Sequence, residues 1–482
     1  MDYDKWIELI NNYYIIYACV LFVTYIVTAI ISYAEIRSYI NKNRYVDYMK
    51  MLSFNKLPSI SIIAPAYNEE RTIIENIKCL LSLQYQNFEI IVVNDGSKDN
   101  TLQLVIDCFD LISVERIFDI ELSTMPVRAI YKSINPAYSH LIIVDKENGG
   151  KADALNVGIN VAQNDLFLSM DVDCIIEQDA LLRMVKPFLD DSKHVVIATG
   201  GVIRIANSCE VSDGKIVKVN FPREFWVKFQ VLEYFRAFSM GRMAWSKFNG
   251  LLIISGAFGL FDRKRVIKVG GYDNTTVGED LELVVRMRRY MHEVEKQKYR
   301  VAFIPDPLCW TEVPQTYNVL SRQRNRWTRG GIDTIFKHRK MFLNPRYGLI
   351  GMFSFPYWVF FEWLAPIIEF VGLFYFLIML IFGLINPYVF TILFLLVFVF
   401  SLMYSFFAIF LETYTFNKYS DAKSSFQMIL FTFVEMLIYQ PLNMYFAITG
   451  NLDFFFKKNK RGWGDMTRAG FTNTNKSNSN TK

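Results

Sequence analysis

Long apolar runs flank a mixed-charge middle segment, and this arrangement constrains the fold more than any other feature. Residues 13–34 carry no charged side chain, and residues 347–449 hold most of the remaining apolar surplus of a chain that is 52% hydrophobic. A membrane-spanning helix needs about 20 apolar residues, so 13–34 is predicted to be a membrane anchor. A signal peptide is the competing interpretation, but the run is too long, no basic segment precedes it and no clear small-residue cleavage site is present.

The apolar runs divide the chain into four predicted parts. They are an N-terminal membrane anchor (1–36), a cytoplasmic domain (37–345), an interfacial helix with about three membrane segments (346–450) and a basic, partly disordered tail (451–482). The flank after the first span is more basic than the flank before it, which favours a cytoplasmic position for the next domain. We therefore expect a multi-pass protein of the cell membrane, in contact with the lipid bilayer.

The carboxyl-terminal apolar region leaves its own topology open. Residues 364–385, 387–411 and 426–449 are candidate spans, and 353–363 is either an interfacial helix or the start of the next span. Three complete spans would place the basic residues after them outside, against the tendency of basic segments to stay in the cytoplasm. These residues are Lys457, Lys458, Lys460 and Arg461. Either 426–449 does not cross fully, or 348–385 crosses differently.

Cysteine, histidine and net charge exclude several kinds of site. The six cysteines are scattered and the four histidines are isolated, which argues against a disulfide framework and against zinc. Any metal is expected to be held by oxygen ligands, as Mg²⁺ and Mn²⁺ are. The net charge of +5 gives no indication of a nucleic-acid partner.

Between the membrane regions, residues 58–340 alternate strands and helices. PSISIIAPAY and FEIIVVNDGS have the pattern of buried strands, while ERTIIENIKCLLSL and TLQLVIDCF have that of helices. Such alternation predicts an α/β fold with a mostly parallel sheet flanked by helices. In open sheets of this kind, ligands bind beyond the carboxyl ends of the strands, where this chain places several polar residues.

The stretch LFLSMDVDCII ends a buried strand in two carboxylates, Asp171 and Asp173. Two residues apart on an extended segment, their side chains would leave the same face. Mg²⁺ is typically held by one or two carboxylates, with phosphate oxygens and water completing its shell, so the pair is a candidate diphosphate–metal site. Two solvated carboxylates at a strand end are the alternative.

Two glycine-containing turns follow other predicted strands. VVNDGSKDNT places Asp95 before a glycine, and Asp99 or Asn100 simply capping a helix would also explain this turn. ENGGKADALNVGI places Lys151 and Asp153 at a helix start, where a lysine suits a phosphate oxygen. A loop with a solvated lysine explains the second turn equally well.

A further group of candidate site residues lies nearer the second membrane region. VGEDLELVVRM places Glu279 and Asp280 at a helix start, and RQRNRWTRGG concentrates Gln, Arg and Trp in residues 322–331. Asp280 as a helix cap and the arginines as a solvated or lipid-contacting face remain open alternatives.

Taken together, these motifs resemble the membrane-embedded family 2 glycosyltransferases, the group of cellulose, chitin, hyaluronan and poly-N-acetylglucosamine synthases. The matching pieces are PAYNEE (65–70), VNDGS (93–97), GGKADALN (149–156), DVD (171–173), SGAFGLF (255–261), GED (278–280) and QRNRW (323–327). They follow the family's order and spacing from about residue 58 to 330. The last motif, Gln–x–x–Arg–Trp, is associated with processive polymer synthases.

The resemblance implies a GT-A-type nucleotide-sugar-binding domain and a role for each matching residue. Asp280 is implied as the general base with Glu279 beside it, and Asp171 and Asp173 as ligands of Mg²⁺ or Mn²⁺. The implied donor and acceptor contacts are Tyr67, Glu69, Asp95, Lys151, Asp153, Gln323, Arg324, Arg326 and Trp327. One departure is Gly278, where the family usually has threonine. The segment GWGDMTR (462–468) faintly resembles a Trp–Gly–Thr–Arg segment of hyaluronan synthases, with a basic juxtamembrane tail as the alternative.

The resemblance also implies an activity and partners. It implies an inverting hexosyltransferase that uses a nucleotide sugar, expected to be UDP-linked, to extend a β-linked polysaccharide processively and export it. The partners implied are the donor, the growing glycan, the bilayer and, in many such synthases, an accessory export subunit. A transferase that adds one sugar to a lipid or lipid phosphate is the alternative, and a non-enzymatic membrane scaffold or nucleotide-sugar sensor is a further one. The donor sugar itself stays open.

Overall fold

A central sheet and a smaller three-stranded sheet alternate with helices along the middle of the chain. The computed structural model describes residues 3–53, 57–212, 214–419, 421–457 and 472–473. Within them the strands are β1 (Ile60–Ala66), β2 (Phe88–Asn94), β3 (Leu111–Val114), β4 (Val127–Ser133), β5 (Leu141–Lys146), β6 (Leu166–Met170), β7 (Cys174–Ile176), β8 (Val195–Ile205), β9 (Glu210–Ser212), β10 (Lys215–Lys218), β11 (Phe258–Asp262), β12 (Tyr299–Thr311) and β13 (Thr472–Asn473).

Helices precede, connect and follow these strands. They are α1 (Tyr3–Asn43), α2 (Tyr48–Met51), α3 (Ile73–Leu81), α4 (Thr101–Cys108), α5 (Lys151–Val161), α6 (Ala180–Asp190), α7 (Phe225–Tyr234), α8 (Met243–Lys247), α9 (Arg263–Lys268), α10 (Glu279–Tyr290), α11 (Tyr317–Lys337), α12 (Phe355–Tyr357), α13 (Ala365–Ile381), α14 (Pro387–Thr415), α15 (Ala422–Val434) and α16 (Gln440–Phe456). Wider helical turns extend several of them, including Phe235–Arg242 after α7 and Glu435–Tyr439 between α15 and α16.

The central sheet is mixed, and its connections explain which pairs are parallel. Its order is β3-β4-β5-β2-β1-β6-β11-β8-β12-β7. The run β5-β2-β1-β6 is parallel, because helices such as α3, between β1 and β2, return the chain to the same starting edge. No α-helix separates β3, β4 and β5, and these pair antiparallel; β11 is antiparallel to both neighbours. The predicted α/β class is confirmed, but less of the sheet is parallel than expected.

The parallel run forms the core of this region. Ile62, Ile63, Ile90 and Val93 are fully buried, as expected for strands covered by helices on both faces. The polar residues that follow these strands can therefore reach a ligand only along the carboxyl edge of the sheet.

Four helical segments within the described residues are long and apolar enough to cross a membrane, by length and composition alone. They are Lys5–Asn43, Ile350–Ile381, Pro387–Thr415 and Ala422–Phe456, with mean hydropathies of 2.4, 2.4, 2.6 and 1.2. The second includes 353–363, so this stretch continues directly into α13 rather than forming a separate helix. Of the predicted carboxyl-terminal tail, residues 458–471 and 474–482 lie outside the described residues, and so does the GWGDMTR segment.

The first and third of these segments contact the sheet domain near one end, and the first and second contact each other near the opposite end of the first. Near the domain, the Ser32 hydroxyl donates to the carbonyl of Met240 at 2.7 Å, and Glu412 of α14 forms a buried ion pair with Arg204, with an Nε–Oε1 distance of 2.8 Å. At the other end, the Tyr375 hydroxyl lies 3.1 Å from Asn11 Oδ1. The turn 382–386 between α13 and α14 is largely exposed.

The fourth segment, Ala422–Phe456, contacts the sheet domain at several positions between Phe431 and Asp453. Near its start, Phe431 packs against Phe225 with ring centroids 6.0 Å apart. At its middle, the Tyr439 hydroxyl donates to Glu233 at 2.7 Å, and near its end the Asn325 amide donates to Asp453 at 2.9 Å. A helix touching the domain at both ends and its middle runs along that surface rather than away from it.

Candidate active site

A cleft along the carboxyl edge of β1, β2, β5 and β6 opens into a cavity of about 2080 Å³. The thirteen residues predicted from the sequence as site residues are all described, and eleven of them line this cavity. They are Tyr67, Glu69, Asp95, Lys151, Asp171, Asp173, Glu279, Asp280, Gln323, Arg326 and Trp327. Asp153 and Arg324 do not line it.

A buried lysine that sequence reasoning missed organises the glycine turn. Lys146, the last residue of β5, is fully buried, and its ammonium group lies 2.5 Å from Asp95 and 2.7 Å from Asp153. Asp95 also accepts hydrogen bonds from the backbone amides of Gly149 (2.9 Å) and Gly150 (2.8 Å). Burial raises the pKa of Asp95, and the bonds from Lys146 and the two glycine amides oppose that rise.

Asp153 is buried and does not line the cavity. Its carboxylate is held by Lys146 and by the amide of Met125 at 3.1 Å. A side chain on Gly149 would meet the Asp153 carboxylate at 2.5 Å, and Gly150 has a φ of +89°. The two glycines are therefore required by the turn that Asp95 and Asp153 pin from either side.

The two carboxylates Asp171 and Asp173 lie on a turn, not on an extended strand as predicted. The amide of Cys174 donates to the Asp171 carbonyl at 3.1 Å, which closes the turn between β6 and β7. Both side chains nevertheless line the cleft. Asp171 forms an ion pair with Lys151, whereas Asp173 is mostly buried and accepts from the Thr311 hydroxyl at 3.5 Å.

This donor set fits a hard divalent cation shared with a phosphate. No group of three or more His, Cys, Asp or Glu side chains suited to a metal occurs in the described part of the chain. Two carboxylates beside a lysine match the way proteins hold Mg²⁺ or Mn²⁺ together with a diphosphate. Burial works to lower the pKa of Lys151, but Asp171 and Glu279 outweigh it and raise that pKa.

Asp280 is aimed into the cleft by a backbone contact. One carboxylate oxygen accepts from the amide of Gly256 at 3.0 Å, and the other lies 2.8 Å from the amide of Leu281. The Lys151 ammonium reaches the Gly256 carbonyl at 3.4 Å. The segment before β11 therefore places Lys151 and Asp280 side by side.

The glycine at position 278 has a packing reason. A Cβ atom on Gly278 would lie 2.8 Å from the Cα of Gly330 in α11, a separation that real Cβ contacts do not reach. The start of α10 and the middle of α11 thus meet backbone to backbone. A threonine here, as the resemblance led us to expect, would push apart the two helices that carry Asp280 and Gln323.

Glu279 is buried beside Asp280. Burial raises its pKa from 4.5 to about 7, the nearby Lys151 opposes the rise and Asp280 adds to it. Near neutral pH this carboxyl group therefore exists in both protonation states, as carboxyl groups in functional clefts often do.

One face of helix α11 lines the cleft, and another face packs against neighbouring helices. Gln323, Arg326 and Trp327 are spaced by three and four residues and line the cavity. Arg324 points elsewhere: its guanidinium group binds Glu233 at 2.7 Å and the Tyr439 hydroxyl at 3.1 Å, and it stacks on Trp327. Arg324 therefore does not line the cavity, and helical periodicity separates its side chain from that of Gln323.

Arg242 is a further cleft residue that sequence reasoning missed. It lines the cavity at the end of the segment Phe235–Arg242 and interacts electrostatically with Asp280. Burial lowers its pKa to about 10, so it remains a cation near neutral pH. The sequence FSMGR around it carries no motif that would have marked it.

Comparisons with known proteins agree with this geometry. The family models described as "Glycosyl transferase family 2" and "Glycosyl transferase family group 2" match residues 61–247 and 166–404. The chain is 29% identical over 328 residues to a poly-beta-1,6-N-acetyl-D-glucosamine synthase of Staphylococcus aureus, covering 68% of this chain and 66% of that protein. For the protein of the same name from Staphylococcus epidermidis the identity is 28% over 303 residues, covering 61% and 62%.

The chain thus matches just under two thirds of the length of these curated relatives. Among solved structures, a mannosyltransferase from Pyrobaculum calidifontis in complex with GDP-Man and Mn²⁺ superposes with a TM-score of 0.52. It shares 18% sequence identity, and the match covers 92% of this chain and 99% of that one. At that identity the likeness concerns the fold.

Replacing Glu279 by glutamine should stabilise the folded protein, and more at high pH. Because the pKa of Glu279 is raised from 4.5 to about 7 on folding, the folded state binds more protons than the unfolded state between these values. The free energy of unfolding therefore falls as the pH rises from 4.5 to about 7, and it stays lower at higher pH. At about pH 8 we expect Glu279→Gln to raise the thermal unfolding midpoint by a few degrees in detergent, with little change at about pH 4.5.

Glu282 on the same helix is the matched control. Burial works to raise its pKa, but the bonds from His338 and Arg286 outweigh burial and lower it, so Glu282→Gln should lower the midpoint at pH 8. An unchanged midpoint for Glu279→Gln at pH 8 would contradict the burial of an ionisable group at this position.

Proposed function

The chain belongs to glycosyl transferase family 2, and we propose that it is a membrane enzyme that extends a β-linked amino-sugar polysaccharide processively from a nucleotide sugar. One observation carries the proposal. The cleft holding Lys151, Asp171, Asp173 and Asp280 belongs to the same cavity as residues of α1, α13 and α14. The names of the curated relatives support N-acetylglucosamine as the transferred sugar, and we propose its UDP-linked form as the donor.

The donor would bind along the carboxyl edge of the sheet. Tyr67, Glu69 and the turn pinned by Asp95 form the nucleoside end of the cleft, and Lys151 and Arg326 supply positive charge for the diphosphate. Asp171 and Asp173 would hold Mg²⁺ or Mn²⁺ there. When bound, such a cation stabilises the negative charge that develops on the departing diphosphate.

Asp280 is proposed as the general base. The acceptor hydroxyl attacks the anomeric carbon from the face opposite the diphosphate, the bond to the diphosphate breaks, and the hydroxyl proton passes to the Asp280 carboxylate. Its contact with the Gly256 amide holds one oxygen in place, and base catalysis of this kind contributes about 10²–10⁴-fold. A single displacement inverts the anomeric centre, so an α-linked donor yields a β-linked product.

The acceptor end of the glycan would rest on α11. The Gln323 side-chain oxygen is buried, lines the cavity and has no hydrogen-bond partner among the described residues, which suits a sugar hydroxyl. Trp327 is 44% exposed and offers its ring for stacking on a sugar. Continuity of the cavity with the membrane helices favours polymer export over the addition of a single sugar to a lipid.

The topology proposed for the chain has three spans and one helix along the interface. Lys5–Asn43, Ile350–Ile381 and Pro387–Thr415 cross the bilayer, while Ala422–Phe456 follows the surface of the catalytic domain. The contacts of Phe431, Tyr439 and Asp453 support this placement, as does its lower hydropathy of 1.2. The catalytic domain and Lys457 then share the cytoplasmic side, in keeping with the positive-inside tendency.

Asp280→Asn should reduce polymer formation from UDP-N-acetylglucosamine by about 10²-fold or more, while leaving UDP binding within a few-fold of wild type. Purified protein with Mg²⁺ or Mn²⁺ is incubated with radiolabelled donor, and the product is sized and extracted with chloroform. Asp107→Asn, on the exposed face of α4, is the matched control and should retain full activity. Large chains support the synthase, whereas a single chloroform-soluble sugar product, or undiminished activity of Asp280→Asn, would contradict the proposal.

Single-cysteine labelling of intact cells tests the topology. In a background in which the native cysteines are replaced by serine, Gly383→Cys in the turn between α13 and α14 should react with a membrane-impermeant maleimide. Leu452→Cys, on an exposed position of α16, should react only after permeabilisation. Labelling of Leu452→Cys in intact cells would place a third span after the catalytic domain and refute the arrangement.

A further inference from the structure

The part of the cavity between the membrane helices contains two acidic side chains. Glu362 and Glu369 line it, seven residues apart and so on the same face of the segment Ile350–Ile381. Both are accessible from the cavity. A charged residue inside a membrane segment is costly, and one that faces a cavity marks a functional path by default.

The three membrane-crossing segments contribute only acidic charge to the lining of this passage. Many described residues of the three membrane-crossing segments line the cavity, and none of these lining residues is basic. Arg236 also lines the cavity, but its guanidinium group forms an ion pair with Glu435. The distance from Arg236 Nη1 to Glu435 Oε2 is 2.9 Å. Arg242 lies at the cytoplasmic end, where it interacts electrostatically with Asp280 and Glu362.

The rest of the lining suits a sugar chain. Aromatic side chains from all three membrane-crossing segments face the cavity; they include Tyr17, Tyr25, Trp358, Phe376, Phe394 and Phe400. The Tyr17 hydroxyl is buried with no hydrogen-bond partner among the described residues. Gln323, whose side-chain oxygen is likewise unpartnered, is more than nine-tenths buried at the cleft end of the same cavity. Rings for stacking and unsatisfied polar atoms together point to a ligand with apolar faces and hydroxyl groups.

We propose that Glu362 and Glu369 make this passage a glycan-binding channel selective for charge: it accepts sugars that are neutral or carry a free amine and rejects sugars that carry a carboxylate. The inference rests on the proposed function and narrows its product class, because a polymer of uronic acids would not pass.

The selectivity follows from the cost of burying charge. A sugar hydroxyl can hydrogen-bond to a glutamate in either protonation state, and a sugar ammonium group pairs with the ionised form. A uronate would meet either a like charge or a neutral carboxyl group, with no basic partner supplied by the membrane segments. Burying a carboxylate without a compensating partner is strongly unfavourable.

Binding of matched oligosaccharides tests the channel directly. Fluorescently labelled β-linked tetramers of glucosamine, N-acetylglucosamine and glucuronic acid are titrated into purified protein that is saturated with UDP, at about pH 6.5, where free amines are protonated. We expect the glucosamine tetramer to bind five- to tenfold more tightly than the acetylated one, since bonds to charged groups are stronger than neutral ones. The glucuronic acid tetramer should bind most weakly.

Glu362→Gln/Glu369→Gln should remove the preference for the glucosamine tetramer while leaving UDP binding unchanged. Glu115→Gln, an exposed position outside the cavity, is the control and should keep the preference. Equal affinities for the three tetramers in wild type, or a preference that survives in the double variant, would overturn the inference. Polymer synthesis by the wild-type protein is assayed separately. If the protein makes polymer but binds the three tetramers equally, the charge-selective channel is overturned and the proposed function stands. If it prefers the glucosamine tetramer but makes no polymer, the proposed function is overturned.

Discussion

A buried ammonium group holds the carboxyl edge of the sheet together. Lys146 is fully buried between Asp95 and Asp153, and without it two carboxylates would face each other in a medium that screens charge poorly. Lys146 keeps Asp95 in a position where it accepts hydrogen bonds from the backbone amides of Gly149 and Gly150. These bonds shape the loop that leads to Lys151. A cation inside the fold thus fixes the loop from which Lys151 reaches the cleft, beside Asp171.

Two buried arginine–glutamate pairs join the sheet domain to the helices that follow it. Arg204 binds Glu412 of α14, and Arg236 binds Glu435. Tyr439 adds a third link, since its hydroxyl contacts both Glu233 and Arg324 of the domain. Removing one member of such a buried pair leaves an uncompensated charge and costs about 3–5 kcal/mol. The cleft and the helices that follow the sheet domain are therefore held in fixed relative positions, as the proposed path for a growing polymer would require.

Much of this arrangement is predictable from residue patterns, and the misses have physical reasons. Buried strands such as 166–170 and the proximity of Asp171 and Lys151 follow from apolar runs and from where parallel strands end, whereas Asp280 was assigned to the site through the family resemblance. Asp153 and Arg324 were predicted to line the cleft because the family resemblance assigns roles by motif. The direction of each side chain depends instead on its ion-pair partner. Lys146, the partner of Asp153, belongs to no motif, and Glu233, the partner of Arg324, is distant in sequence. Arg242 could not be found by pattern at all, since only tertiary packing brings it to Asp280. The path of residues 422–456 along the domain also depends on such contacts rather than on apolar length.

The most direct measurement is a cryo-electron microscopy structure of the protein with UDP-N-acetylglucosamine, Mn²⁺ and a short β-linked glycan, using Asp280→Asn to prevent turnover. We expect the diphosphate beside Lys151 and the Asp171–Asp173 turn, the anomeric carbon facing residue 280, and the glycan leading from Trp327 towards Glu362. A nucleotide bound away from Lys151, or a glycan leaving the cleft along the protein surface instead of between α1, α13 and α14, would contradict it.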